Sequence, residues 1–221
     1  MTGLVVAIDG PSGSGKSTVA RGVAAALGLE VLDTGAMYRA VTLAAIGAGV
    51  PLADEAGCAA LAHRLDISVE HGVTQIDGRD VSAEIRGPAV TGSVSTVAAH
   101  PAVRAHLVEQ QRAWVERHGG GVVEGRDIGT VVFPDAPVKV YLTATDEERA
   151  RRRQRDEAAA ERNLAVDDVK AALDRRDAID AGRTVSPLRV ASDAIVIDST
   201  TVDAKAVVAD IVARARAVEA H

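Results

Sequence analysis

Eight consecutive residues constrain this chain more than any other stretch: Gly10-Pro11-Ser12-Gly13-Ser14-Gly15-Lys16-Ser17. They satisfy the pattern G-x-x-x-x-G-K-[ST] in full. The string follows a short apolar run, Leu4-Val5-Val6-Ala7-Ile8, and opens a helical stretch from about Lys16 to Leu27. Strand, glycine loop and helix in that order build a phosphate cradle. Glycines let backbone N–H groups converge on phosphate oxygens, and the helix N-terminus adds its dipole. Lys16 can reach the β and γ phosphates, and the Ser17 hydroxyl can ligate Mg2+. At this chain's own composition a chance match comes to roughly 0.3% over the whole sequence. A glycine-rich turn without a ligand is therefore set aside, and a nucleoside-triphosphate site is expected.

The frame around the loop is equally regular. Val31-Leu32, Gly121-Val122-Val123-Glu124, Val138-Lys139-Val140-Tyr141-Leu142 and Ala194-Ile195-Val196-Ile197-Asp198 are further strand candidates. Continuous apolar runs separated by alanine-rich helical stretches predict an α/β fold with a parallel sheet covered on both faces. Two stretches break the alternation. Ile67 to Gly78 alternates in hydropathy and carries the turn pairs His71-Gly72 and Asp77-Gly78, which predicts a small antiparallel hairpin set. Asp146 to Arg162 holds Arg149, Arg151, Arg152, Arg153 and Arg155 in one helical stretch. Read alone, it is a solvated helix with i,i+4 pairs such as Glu147–Arg151 and Glu148–Arg152. No repeat, low-complexity tract or linker divides the chain, so a single domain over 1–221 with insertions is expected.

Composition excludes several classes. The chain has 25 basic and 31 acidic residues, a formal charge of −6, so a bulk basic footprint for nucleic acid or an anionic membrane is absent. Its aromatics are Tyr38, Trp114, Phe133 and Tyr141, too few for a base-stacking surface. One cysteine, Cys58, excludes an internal disulfide and a cysteine-built zinc site. The N-terminus has no positive region before its apolar run, so no signal peptide is expected. The 14-residue uncharged stretch from Ala40 to Ala53 is too short and glycine-broken to span a bilayer. A cytoplasmic monomer is the expectation. Lysine is scarce (Lys16, Lys139, Lys170, Lys205), and none follows an asparagine, which removes the base-reading N-K-x-D of GTPase switches.

A small kinase remains, and the question becomes its acceptor. Three glycine-punctuated segments pair Arg with Asp. They are Asp33-Thr34-Gly35-Ala36-Met37-Tyr38-Arg39, Glu124-Gly125-Arg126-Asp127-Ile128-Gly129-Thr130, and Arg175-Arg176-Asp177-Ala178-Ile179-Asp180-Ala181-Gly182-Arg183. Each taken alone reads equally as a structural ion pair or helix cap. Beside a phosphate loop they suit a phosphate-monoester acceptor, whose charge near −2 must be offset when it meets a triphosphate. Such an oxygen is already a nucleophile, whereas a hydroxyl acceptor favours a positioned Asp. None of the six histidines falls in these segments, which points away from histidine base catalysis.

Together these strings, with Val131-Val132-Phe133-Pro134 and Asp198-Ser199-Thr200, resemble the bacterial cytidylate kinase family essentially end to end. The run G-R-D-I-G-T-V-V-F-P is the most specific part. The resemblance implies a P-loop NTPase fold, with a five-stranded parallel sheet flanked by helices. It also implies a core of about 1–50, 119–145 and 185–221, a monophosphate-binding insertion of about 51–118 with a small antiparallel sheet, and a short helical lid of about 146–165. The implied reaction is phosphoryl transfer from ATP with Mg2+ to CMP or dCMP, with no nucleic-acid polymer or membrane as partner. ATP would be held by Gly10, Pro11, Ser12, Gly13, Ser14, Gly15, Lys16, Ser17 and Thr18, with the metal at Ser17. Arg39, Arg126 and Arg183 would hold the CMP phosphate. Ser95, Arg104 and Asp127 would read the cytosine edge, with Thr34 and Tyr38 lining the pocket, while Arg176 and Asp180 would contact the ribose. Lys16, Arg126 and one lid arginine would be catalytic, five candidates (Arg149, Arg151, Arg152, Arg153 and Arg155) lying within two helical turns and Arg153 being taken for it. The family often carries Ser at the position of Thr34, and either side chain supplies a hydroxyl. A donor–acceptor site for cytosine leaves buried groups unpaired against uracil, so strong preference for CMP over UMP follows.

Overall fold

Apolar alternation within each strand divides the interior into two layers. The computed structural model describes residues 3–159 and 165–220. Residues 160–164, inside the expected lid and at the end of the arginine-rich stretch, lie outside that set. Five parallel strands, β1 (Val5–Asp9), β2 (Val31–Asp33), β6 (Gly121–Gly125), β7 (Val138–Thr143) and β8 (Ile195–Asp198), form one sheet in the order β2-β6-β1-β7-β8. On β1, Val6 and Ile8 face one way, towards α1 (Lys16–Leu27) and α8 (Ala204–Glu219), where Val19, Val23, Val207 and Ile211 close the layer. Val5 and Ala7 face the other way, with Leu32 and Val123. There they meet α2 (Thr34–Gly47), α3 (Glu55–Ala62), α4 (Pro88–Val97) and α5 (Pro101–His118). All of β1 is buried, which is why its sequence reads as an unbroken apolar run.

The expected hairpin set is present and larger by one short strand. β3 (Ile67–Glu70), β4 (Val73–Ile76) and β5 (Arg79–Asp80) form an antiparallel sheet in that order. Both connecting turns have paired positive φ values, 51° and 81° at His71-Gly72 and 50° and 77° at Asp77-Gly78. That is the signature of type I′ turns, whose twist matches the strands they join. Trp114 of α5 ties this sheet to the rest by donating its indole N–H to the Val69 carbonyl at 3.1 Å. Helix starts follow local chemistry: Asp33 caps α2 by accepting the Ala36 N–H at 3.1 Å, and prolines open α4 and α5.

The arginine-rich stretch is helical as α6 (Asp146–Ala159), followed by α7 (Val166–Gly182). Of the two expected i,i+4 pairs, Glu148–Arg152 forms at 3.0 Å. Glu147 instead meets Lys170 of α7 at 3.5 Å, and Arg151 lies 3.9 Å from Glu148. The carboxyl ends of β1, β2, β6, β7 and β8 all open on one side of the sheet, where a strand order that reverses around β1 leaves a crevice. No helix among the described residues is long and apolar enough to cross a membrane.

Candidate active site

The loop after β1 sits over that crevice. Gly10 has φ 149°, and a Cβ there would fall 2.0 Å from the Leu142 carbonyl oxygen, so this turn admits no side chain. Lys16 folds back along the loop and donates to the carbonyls of Gly10 and Pro11 at 2.8 and 2.7 Å. Ser12 to Thr18 line a cleft of about 660 Å3, while Gly10 and Pro11 lie behind it as the lysine's acceptors. From the far wall come Arg39, Arg126, Arg152, Arg153, Arg155 and Arg176.

A second, smaller cavity of about 60 Å3 adjoins the first. It is lined by Thr34, Tyr38, Ser95, Arg104, Arg126, Asp127, Arg176, Asp180 and Arg183, so the acceptor-side residues read from sequence converge there, Arg39 apart. Arg39 lies in the large cleft instead, bonded to the Ile85 carbonyl at 2.9 Å and the Thr91 hydroxyl at 2.8 Å. Lys16, Asp33, Glu124, Arg126 and Arg176 line both spaces and mark where they join.

Arg104 and Asp127 are 2% and 4% exposed and pair with each other, the guanidinium standing 5.1 Å over the Tyr38 ring. Burial pushes the Tyr38 phenol up to about 12, so it stays neutral at working pH. Thr34 does line the pocket, but its hydroxyl donates to the Glu124 carbonyl at 2.8 Å. Asp180 is the anionic centre of the acceptor side. It accepts Arg126 Nε at 3.0 Å and the Ser95 hydroxyl at 3.3 Å, and pairs with Arg183. Burial opposes its charge, yet Arg126, Arg183 and Arg176 hold it below the usual carboxylate range. Arg176, grouped with Asp180 in the sequence reading, turns towards the loop, 3.5 Å from the Ser12 hydroxyl.

The junction carries more positive charge than it can comfortably hold. Burial and the neighbouring Arg126 drive Lys16 down to about 7. Burial, Arg126 and Arg39 lower Arg176 to about 9, and burial with Arg153 lowers Arg39 to about 10. Mutual repulsion of buried cations is relieved by an anion placed among them. Two carboxylates, Glu124 and Asp9, supply part of that relief at Lys16. Glu124, raised to about 7 by burial and by Asp33, accepts the Ser17 hydroxyl at 2.9 Å.

Sequence reasoning gave no role to three residues that the structure makes prominent. Asp9 ends β1, is 5% exposed, and accepts the N–H groups of Ile128 and Gly129 at 2.8 and 2.7 Å. It thereby fixes the turn that carries Arg126 and Asp127. An acid closing an all-apolar strand is the signal that could have found it, and the same holds for Glu124 on β6. The third is Arg149, which is 5% exposed and turned inward from α6.

Residues 6–217 match the family model described as cytidylate kinase. A cytidylate kinase of Mycobacterium leprae (strain Br4923) is 50% identical over 96% of this chain and 95% of its own length. Another from Pelotomaculum thermopropionicum is 51% identical over 96% of both chains. Among solved structures, a gluconokinase from Sinorhizobium meliloti superposes with a TM-score of 0.53 at 13% identity, covering 98% of this chain and 94% of that one, a likeness of fold alone. With a family model spanning nearly its whole length and relatives at half identity, this chain belongs to the cytidylate kinase family.

Proposed function

We propose that this chain phosphorylates CMP and dCMP at the expense of ATP, with Mg2+, giving CDP or dCDP and ADP. One observation carries the reading. A cleft lined by the phosphate loop and a small polar pocket meet at Lys16, Arg126 and Arg176, so two anionic substrates entering from either side would touch end to end among cations. The relatives' names supply the base.

The residues are assigned the roles that the family resemblance implies. Ser12 to Thr18 cradle the ATP phosphates, with Lys16 leaving its carbonyl partners to follow the transferred group. Arg39, Arg126 and Arg183 take the CMP phosphate, and Ser95, Arg104 and Asp127 take the cytosine edge. Arg176 and Asp180 border the ribose. Arg153 reaches into the donor cleft from α6 and is the lid arginine proposed for the migrating phosphoryl group. The donors that would hold Mg2+ are hard oxygens, the Ser17 hydroxyl and the Glu124 carboxylate beside it, which suits that ion. Bound there, Mg2+ would offset charge on the β and γ phosphates. The acceptor oxygen needs no general base, so catalysis reduces to alignment and charge neutralisation.

The test is steady-state turnover with ATP and Mg2+ over a panel of CMP, dCMP, UMP, AMP, GMP and shikimate. CMP and dCMP should turn over, UMP should lag by orders of magnitude, and Lys16→Ala should lose kcat by about a thousandfold. Comparable turnover of UMP and CMP removes Arg104 and Asp127 from base reading.

A further inference from the structure

Arg149 and Asp177 stand outside both substrate spaces, yet their side chains converge on one residue of the phosphate loop, Ser12, whose carbonyl belongs to the Ser12–Gly13 peptide. Arg149 Nη1 donates to the Ser12 carbonyl at 3.0 Å, and Nη2 donates to Asp146 at 2.6 Å. The same guanidinium pairs with Asp177 of α7. The second oxygen of Asp177 accepts the Ser12 N–H at 3.4 Å. Ser12 is therefore gripped by its N–H and its C=O at once, from two helices. The contact is close on the backbone side too, since a Cβ on Gly13 would lie 2.8 Å from the Arg149 carbonyl oxygen.

We infer that Arg149 and Asp177 are positioning residues that lock the Ser12–Gly13 peptide in the orientation required for a donor polyphosphate. The peptide unit is planar and trans, so its C=O and N–H point in opposite directions. Arg149 draws the Ser12 carbonyl away from the cleft, and the Gly13 N–H is turned the other way, towards the space that Gly13 lines. A flipped peptide would present a carbonyl oxygen to phosphate and replace a hydrogen bond with repulsion. A guanidinium suits the task, because charge-assisted bonds to a carbonyl are stronger than neutral ones. Asp177 keeps that buried cation in register and joins the loop to the helix that bears Arg176, Asp180 and Arg183. This inference rests on the reading that the loop binds the ATP phosphates.

The experiment compares wild type with Arg149→Met, Arg149→Lys and Asp177→Asn. It measures KM for ATP, KM for CMP, kcat, the ADP dissociation constant by calorimetry, and thermal unfolding. Losing a charge-assisted bond to the loop should raise KM for ATP and Kd for ADP about tenfold or more in Arg149→Met. KM for CMP should stay within about twofold, and Arg149→Lys should recover most of the ATP effect because an ammonium still donates to the carbonyl. Asp177→Asn, which keeps shape and removes only charge, should show the same selective rise at about threefold or more, and serves if Arg149→Met does not fold. An unchanged KM for ATP in the folded variants overturns the inference. So does a parallel rise in both KM values, which would make the pair mere packing for α7. ADP binding to wild type checks the underlying reading separately: if wild type binds no ADP, the donor-loop assignment is what has failed.

Discussion

Removing Arg104 should separate folding from base recognition more sharply than any other change. Arg104 and Asp127 form an ion pair with both side chains at most 5% exposed. The guanidinium also donates to the Ala98 carbonyl at 3.2 Å and covers the Tyr38 ring. Arg104→Met keeps the length of the stem and leaves the Asp127 carboxylate uncompensated in the interior. Breaking a buried pair from one side costs about 3–5 kcal/mol. For a chain of this size each kcal/mol lowers Tm by about 2–4 °C, so a fall of about 6–20 °C is expected. Arg104→Met with Asp127→Asn leaves neither member of the pair charged and should recover at least half of that loss, a coupling of about 2 kcal/mol. Activity should not follow. If the pair reads the cytosine edge, the double variant regains at least half of the lost Tm yet has lost its preference for CMP over UMP, because the groups that penalised uracil are gone. The measurements are calorimetric unfolding and coupled turnover of CMP and UMP on wild type, Arg104→Met, Asp127→Asn and the double variant. A double variant that regains stability and still discriminates refutes base reading by this pair. A single variant that costs under about 1 kcal/mol refutes the uncompensated-charge argument.

Two further changes probe buried polar groups. Burial raises the Asp9 carboxyl from 3.8 to about 6, against the pull of the Gly129 and Ile128 amides. An acid whose folded pKa exceeds its unfolded value binds more protons when folded, so this group makes stability fall as pH rises from about 4 to about 6, by about 3 kcal/mol at most. Asp9→Asn should flatten that fall in denaturant titrations across the window. Because each N–H meets a separate carboxylate oxygen and Asn puts an NH2 donor in place of one of them, the variant should also lower kcat/KM for CMP about tenfold. An unaltered pH slope would exclude Asp9 as its source. The Tyr38 hydroxyl is buried beside the Gln111 side chain with no well-formed hydrogen bond to any described residue. Tyr38→Phe should therefore unfold at the wild-type temperature or a few degrees higher, while KM for CMP rises about fivefold if the hydroxyl meets substrate. An unchanged KM removes the hydroxyl from the pocket.

How far the site could be read in advance depended on whether its geometry is local. Strands β1, β6 and β7 were legible because a strand buried on both faces is mostly apolar, the edge strand β8 by its β-branched run although Val196 is 56% exposed, and the turns at His71-Gly72 and Asp77-Gly78 because left-handed pairs favour such residues. Strand order leaves no mark on any one segment, so the partnership of Asp9 with Ile128 and Gly129, some 120 residues away, could not be seen. The arginines of α6 are an intermediate case. Local composition makes them alike, but spacing sorts them, since positions i, i+3 and i+4 share a helix face. Arg149, Arg152 and Arg153 form that face and turn inward, whereas Arg151 and Arg155 are exposed. Within the inward set only tertiary contacts distinguish roles. Arg149 is bonded to the Ser12 carbonyl, and Arg152 donates to the carbonyls of Ser14 at 3.2 Å and Ser199 at 2.6 Å. Both therefore hold carbonyls in or beside the loop, and Arg152 and Arg153 alike line the cleft. The element that reads as a solvated charge run is thus tied to the phosphate loop, a distinction that depends on which carbonyls the fold brings beneath it.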